Sequence, residues 1–542
     1  MKKIGNTGSF KKFYLNDQIY VDKTEYIYNL INNEARVFIS RPRRFGKSLT
    51  LDTIATLFET GVEPYFKGTW IYDKWTEPTY PVFRLSFLNL DNSSMDLFKK
   101  QLNSKITEFA NKISVKGYVE KTEPEDSILS LLEKLEEETR QIVILIDEYD
   151  YQLTSNINND ELYKQFQQKI KRIYANIKDK FAIKFLGITG VTRLKDVAIF
   201  SVGSDIRDIT NSSAYSQMIG FTRDEIKKFY IDYLKLAASY ENNCIVDNVT
   251  EAQIESLLDR LAKNYDGYCF DEFYKKKVFS TWSVNSFFQS IVENKFVFFD
   301  EYWYDNGGLP SILVNYLKSH ELNIFEYLDK DKFLKVSSDD FKNPTALTTI
   351  NQNVLMCQTG YLTLRSDLKK SSTVLLGIPN GEIYKALNRL LANNIFKGKA
   401  DVTDDQGKNL LEEGTVDDII NLFNSALNSV SYDNYPIVSE SSVQNMLKLY
   451  LLGAHQEVLS EVHEAKGRAD LIVNTDIRRI VFEFKYAQNE SEAKTKLSEA
   501  VEQIKSRDYG NILPKKHELL RIAAVFNADP KVRAFTENQI VP

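Results

Sequence analysis

Three consecutive residues, Gly46, Lys47 and Ser48, close the stretch "ARVFISRPRRFGKS" (35–48), just behind a short apolar run. In a phosphate-binding loop these types have separate tasks. Glycine lets phosphate approach the backbone, lysine reaches the β/γ-phosphates, and the hydroxyl holds Mg²⁺. The first glycine of such a loop would fall where the chain has Arg41. A loop opening on Arg41, Pro42, Arg43 and Arg44 cannot use glycine's freedom at its entrance, so the trio alone is a partial match. A metal-phosphate site also needs a second carboxylate for the metal and a group that orients the attacking water. Asp147 and Glu148 supply both, directly after the apolar run 142–146 of "QIVILIDEYD". Taken alone, "DE" after an apolar run is an ordinary strand-to-loop transition; paired with Gly46–Ser48 it reads as the missing half of the site.

A second group lies in "EVHEAKGRADLIVNTDIRRIVFEFKYA" (461–487). Period-two alternation places Glu483 and Lys485 on one face of a strand and Phe482, Phe484 and Tyr486 on the other. A polar turn, "NTDIRR", makes the segment a hairpin that brings Asp470 near both. Two carboxylates and a lysine suit Mg²⁺-dependent phosphodiester hydrolysis, with the acids on the metal and the lysine at the attacking water. The same spacing also fits a cross-strand salt bridge on a solvated face.

These residues need elements to hold them. The apolar stretches 35–40, 80–87, 141–147 and 181–190 read as buried strands, and 94–113 and 161–177 carry apolar residues at helical spacing. That alternation predicts an open α/β sheet over the first 220 residues or so. The pattern then turns helical and aromatic to about residue 430, with a hairpin and helix within 356–391. A polar stretch, "NSVSYDNYP", reads as a linker before a return to α/β patterning.

At 542 residues the chain exceeds a single core, and 43% hydrophobic with 12% aromatic content argues for order throughout. Net charge is −6, so contact with nucleic acid requires a local basic surface. Cys244, Cys269 and Cys357 are far apart without CxxC spacing, which excludes a readable disulfide framework or zinc cluster and fits a reducing cytoplasm. Without an apolar leader segment or a run of about 18 apolar residues, the expectation is a soluble, unexported protein with no membrane role.

"YVDKT" (20–24), "SRPRRFGKSLTL", "VILIDEYD", "GITGVTRL" and "MIGFTRDEI" together resemble the AAA-ATPase-like family of bacterial proteins, in which RPRRFGKS is the customary form of the loop. The resemblance covers roughly 1–430. It implies a P-loop ATPase domain of the AAA type over 1–220 and a helical lid and middle region over 221–430, a winged-helix-like arrangement being one option. It implies ATP and Mg²⁺ as cofactors. Arg43, Arg44, Phe45, Gly46 and Lys47 would cradle phosphate, Ser48 and Asp147 would hold the metal, and Glu148 would be catalytic. Thr189 or Thr192 would sense the γ-phosphate, and Arg193 would act as a finger in cis or in trans. Arg43 and Arg44 equally fit solvated or DNA-facing arginines, and Thr189, Thr192 and Arg193 an ordinary turn with a surface arginine.

The string GRAD, twelve residues, then EFK, followed by "EAVEQIKSRDY", resembles the PD-(D/E)XK nuclease superfamily, a restriction-endonuclease-like α/β fold, over 435–542. The resemblance makes Asp470 and Glu483 metal-binding and catalytic and Lys485 catalytic. Gln503 takes the following helix position, and Glu461 is a weaker candidate for an extra acid. The expected function is ATP-regulated, Mg²⁺-dependent cleavage of nucleic acid, DNA before RNA, with homo-oligomerisation open. The alternative is an ATP-operated binding or signalling switch whose C-terminal fold binds nucleic acid or protein without cutting. Residues 435–542 hold 15 Lys+Arg and 15 Asp+Glu, so any DNA-binding stripe must come from arrangement, as with Lys494, Lys496, Lys505, Arg507, Lys515 and Lys516. Such charges are usually a solvated helix face.

Overall fold

The apolar runs become the strands of a parallel sheet, seen in a computed structural model that describes residues 1–194, 205–303, 311–317, 324–344, 346–396, 404–454, 456–464, 467–510 and 517–542. The chain divides into two compact units, Met1–Leu322 with Phe333–Ile383 and Asn323–Lys332 with Tyr384–Pro542.

In the first unit, β1 (Arg36–Ser40), β2 (Val82–Ser86), β3 (Ile142–Asp147), β4 (Ile183–Gly190) and β5 (Arg207–Asp208) form one sheet in the order β2-β3-β4-β1-β5. Every pairing in it is parallel. β3 and β4 are flanked on both sides and covered by helices, which is why their sequences are nearly continuous apolar runs and do not alternate. The covering helices are amphipathic. Met95–Lys112 buries Phe98, Leu102, Ile106 and Phe109, and Asp160–Ile177 buries Phe166, Ile170, Ile173 and Ile177. Each starts on a side-chain cap, Ser94 accepting from the Leu97 N–H and Asn159 from that of Leu162. The carboxyl ends of β1, β3 and β4 therefore point at one crevice, the place where open α/β sheets hold ligands.

Helices Ile231–Glu241, Glu251–Tyr265 and Thr281–Asn294 share an aliphatic and aromatic core that includes Leu234, Leu257, Leu261, Phe287 and the stacked pair Tyr230–Phe288, 5.2 Å apart. A small antiparallel sheet of β6 (Leu334–Ser337), β7 (Thr363–Leu364) and β8 (Thr373–Gly377) follows, then helix Gly381–Ile395.

The second unit is built on β9 (Glu457–Glu464), β10 (Gly467–Asn474), β11 (Arg478–Ala487), β12 (Glu518–Asn527) and β13 (Ala534–Ile540), ordered β13-β12-β11-β10-β9. β10 and β11 are the expected hairpin. β11 and β12 run parallel because helix Glu490–Arg507 carries the chain back between them. Among the described residues no helix is long and apolar enough to cross a membrane.

Gly190 ends β4 against the turn after β3. A Cβ there would lie 2.5 Å from Tyr149 Cδ1 and 2.7 Å from Asp150 Oδ1. Overpacking of this kind removes roughly 1–3 kcal/mol of stability. Gly190→Ala is expected to lower the thermal midpoint by several degrees in differential scanning fluorimetry; a midpoint equal to wild type would show that the strand end has slack.

Candidate functional site

β1 ends at Ser40, and the next six residues turn the chain into helix Lys47–Thr60. The left-handed positions in this turn are Arg44, at φ 66°, and Gly46, at φ 101°; Arg41 does not need the glycine conformation that the shortened motif lacks. Arg41 instead braces the entrance. Its buried Nη1 donates to Ser40 O at 2.8 Å and Thr210 O at 2.7 Å, and its guanidinium lies 4.1 Å from the Phe270 ring centre. Burial pushes its pKa down to about 9. The Phe45 side chain is a second anchor, buried with its ring 4.7 Å from Tyr268, so only its backbone is left for a phosphate. Arg44 stacks 4.1 Å over Trp282 while its carbonyl accepts from Thr281 Oγ1 at 2.9 Å.

Inside the loop, Lys47 Nζ donates to Arg41 O and Pro42 O, each at 2.9 Å, and burial lowers its pKa despite the nearby acids Asp147, Glu148 and Asp150. Asp147, at the end of β3, accepts from Ser48 Oγ at 2.5 Å through Oδ2 and from Thr189 Oγ1 at 2.5 Å through Oδ1. A hydroxyl and a carboxylate are hard oxygen donors that suit Mg²⁺. Glu148 adopts φ 52°, and burial first, then the charge of Asp147, raises its carboxyl pKa. A cavity of about 580 Å³ opens over Lys47, Ser48 and Glu148, lined also by Gly8, Val21, Gly46, Ile219 and Trp282. A Cβ built on Gly46 would meet nothing within 4 Å, so the cradle in front of the helix is clear. With its free N–H groups and positive dipole end, that helix start is suited to an anion.

Of the two threonines, Thr189 meets Asp147. Thr192 is buried on Asp150, which accepts from its N–H and its hydroxyl, both at 2.6 Å. Arg193 is not brought to the cavity group. Its guanidinium pairs with Asp208 on β5, and its N–H donates to Gln358 Oε1 at 3.2 Å.

In the second unit, the β10–β11 hairpin brings Asp470, Glu483 and Lys485 together. Asp470 Oδ2 accepts from the Phe484 N–H at 2.9 Å, which fixes it beside Glu483. Glu483 is fully buried. Its Oε1 takes Lys485 Nζ at 2.9 Å, and its Oε2 has no hydrogen-bond partner among the described residues. Burial, reinforced by Asp470, pushes the Glu483 pKa up to about 7; burial also raises that of Asp470. For Lys485, burial opposes the charged form, but the Glu483 carboxylate outweighs it and the ammonium stays above the ordinary lysine value. Among the described residues no three metal-ligating side chains converge. A cation would rest on two carboxylates and fill its shell with water or substrate oxygens, the habit of Mg²⁺. An orphaned, buried carboxylate oxygen fits that role.

Sequence reasoning missed Glu440, whose Oε1 lies 3.2 Å from Lys485 Nζ at the start of helix Glu440–Gly453. The signal was its place just after the Ser439 cap, at a helix start packed on the sheet. The side chain of Glu461, and Lys515 and Lys516, lie outside the described residues. Gln503 is half-buried on helix Glu490–Arg507. The basic residues of that helix divide: Lys494 pairs with Glu490 at 3.1 Å, Lys496 with Glu499 at 2.8 Å and Lys505 with Glu502 at 3.7 Å, a solvated helix face, whereas Arg507 bonds the Tyr509 hydroxyl.

The two units thus present an ATPase-type loop on a parallel sheet and a carboxylate–lysine site on an α/β sheet. Known families match both. Residues 4–200 match the family described as "Predicted AAA-ATPase", and 438–535 match the PD-(D/E)XK nuclease superfamily. The chain joins an AAA-ATPase-like domain to a PD-(D/E)XK nuclease superfamily domain. It is 26% identical over 530 residues to the "Uncharacterized protein in vnfD 5'region" of Azotobacter chroococcum mcd 1, covering 95% of this chain and 94% of that one. The crystal structure of Cdc6p from Pyrobaculum aerophilum aligns at 11% identity with a TM-score of 0.24, over 72% of this chain and 99% of its own.

The Glu483 pKa fixes a pH window. Below about 7 its carboxyl holds a proton that a metal must displace, so Mn²⁺ affinity should fall as pH drops through that value. The stability sign runs the other way. The folded state binds this proton more tightly than the unfolded state, so Glu483 contributes increasing stability as pH falls from above 7 toward the ordinary glutamate range. Titration calorimetry of Mn²⁺ into nucleotide-free protein from pH 6 to 8 is expected to show this trend in wild type and its loss in Glu483→Gln. A pH-independent affinity in wild type would mean that Glu483 is not a ligand.

Proposed function

We propose that this protein binds and hydrolyses ATP and couples that activity to Mg²⁺-dependent cleavage of DNA. The functional parts are an ATPase domain over 1–220, a helical lid and middle region over 221–430 and a nuclease domain over 435–542. The observation that carries the cleavage half is the buried Glu483 Oε2, without a hydrogen-bond partner among the described residues, beside Asp470 and Lys485. The ATPase half rests on the Ser48–Asp147–Thr189 hydrogen bonds under an open cradle.

At the first site the backbone from Arg43 to Lys47 holds the phosphates, and the Lys47 ammonium exchanges its loop carbonyls for β/γ-phosphate oxygens. Ser48 and Asp147 hold Mg²⁺, which when bound offsets charge on the phosphates. Glu148, whose raised pKa makes it a better proton acceptor than an ordinary glutamate, orients the attacking water, and Thr189 senses the γ-phosphate from the end of β4. Arg193 becomes a finger only if it leaves Asp208. At the second site Asp470 and Glu483 hold Mg²⁺, and Lys485, kept protonated by Glu483, orients water and steadies charge at the scissile phosphate.

Lys485 bridges Glu483 and Glu440, an arrangement a structural ion network also satisfies, and the unit would then bind without cutting under ATP control. One set of variants separates the two. Lys47→Ala is expected to abolish ATP binding by calorimetry and Glu148→Gln to bind ATP while barely turning it over. Glu483→Ala and Lys485→Ala are expected to lose DNA cleavage by at least about a hundredfold with ATP turnover intact, the scale of a removed catalytic group. Cleavage at wild-type rates in the last two variants, or none by wild type with any divalent metal, would favour the switch.

A further inference from the structure

We propose that Arg507 binds a backbone phosphate of the DNA at the carboxylate–lysine site, held in place by the Tyr509 hydroxyl; this rests on the cleavage reading given above. Arg507 is the last residue of helix Glu490–Arg507, which bridges β11 and β12. The lysines before it on the helix are matched by glutamates a turn away. The acid next to it, Asp508, is taken by Arg521 at 2.5 Å. Among the described residues no carboxylate lies within ion-pair distance of the Arg507 guanidinium.

Its one protein hydrogen bond among the described residues runs from Nη1 to Tyr509 Oη at 2.8 Å. Tyr509 is fully buried in the core with Ile472, Val481 and Ile504, and its hydroxyl donates to Arg468 O at 2.6 Å. Arg468 lies on β10 two residues before Asp470, on the same face. The guanidinium is therefore tethered through a rigid ring to the strand that carries a metal-binding acid. The bond to Tyr509 raises the Arg507 pKa, and the charges of Glu483 and Asp470 add to it.

A guanidinium has five N–H donors in a planar fork that matches two phosphate oxygens, and Tyr509 occupies one of them. A cation with donors to spare next to an acid pair that takes Mg²⁺ has the chemistry of a phosphate contact: the metal side draws one anionic group while the arginine takes the same or the adjoining phosphate. It also bears on the charge balance of 435–542. With 15 basic and 15 acidic residues the domain exerts no net attraction, so affinity must come from individual unpaired cations, and Arg507 is one.

The test uses full-length protein with Ca²⁺ in place of Mg²⁺ and a short fluorescein-labelled DNA duplex, followed by fluorescence anisotropy over a salt series. Arg507→Ala is expected to weaken binding about tenfold and to reduce the slope of log affinity against log salt by about one, the signature of one lost phosphate contact. Arg507→Lys should restore the slope without the full affinity, because it keeps the charge and loses the fork. Tyr509→Phe should weaken binding in wild type and have no further effect on Arg507→Ala, a coupling that a purely structural hydroxyl would not show. Unchanged Mn²⁺ affinity and circular dichroism in Arg507→Ala would confirm that the metal site and fold persist. Affinity and slope equal to wild type in Arg507→Ala would overturn this inference and leave the cleavage reading standing. Failure of the wild-type protein to bind any duplex would remove the cleavage reading and this inference with it.

Discussion

Asp147 and Glu483 each stand on a strand whose neighbours are apolar, and a carboxylate taken out of water there must find donors or a cation. The two strands meet that demand differently. Asp147, at the end of β3, is satisfied by two hydroxyls, Ser48 Oγ and Thr189 Oγ1, and by the Glu148 N–H. Glu483, in the middle of β11, is satisfied on one oxygen by Lys485 and, among the described residues, left without a hydrogen-bond partner on the other. Its high pKa records the residual energetic demand. The remaining architecture can be read as support. β1 and β4 deliver the loop and Thr189 to Asp147, and the β10–β11 hairpin delivers Asp470 to Glu483.

The phosphate loop shows how a departure from a motif can be stabilised from a distance. The position that lacks glycine holds a buried arginine anchored by Thr210 and Phe270, and the loop's apex is held through Arg44 by Thr281 and Trp282. The loop needs less intrinsic freedom because its shape is set by partners. Its left-handed turns fall later, at Arg44 and Gly46. Arg41, Arg44 and Phe45 thus act largely by packing against aromatic rings of the helical region, which leaves the backbone of this segment and Lys47 to face the cavity.

What could be read from the sequence was whatever depends on neighbours in the chain. The run 142–146 is a strand because five apolar residues in a row fit only a buried one, and Glu483 and Lys485 share a face because a strand alternates. The GKS trio and the GRAD–EFK spacing were legible for the same reason. What was hidden depends on distant partners. Nothing near Arg41 announces Thr210, 169 residues away, and nothing near Lys485 announces Glu440, 45 residues earlier. The choice between Thr189 and Thr192 needed the turn of β4 against Asp147 and Asp150. A string of lysines and arginines on 494–507 gives no sign of which charges are neutralised by the helix itself; only the pairing shows that Arg507 differs.

The proposed cleavage depends on Asp470 and Glu483 holding a cation and not forming the acidic side of a structural ion pair. Crystals of the full chain soaked in Mn²⁺ at pH 8 and measured at the manganese absorption edge address it directly. An anomalous difference peak is expected between Asp470 and Glu483, with Glu483 Oε2 as a ligand and Lys485 still on Oε1. Full-occupancy protein density with no peak there, while Lys485 spans Glu483 and Glu440 unchanged, would contradict it.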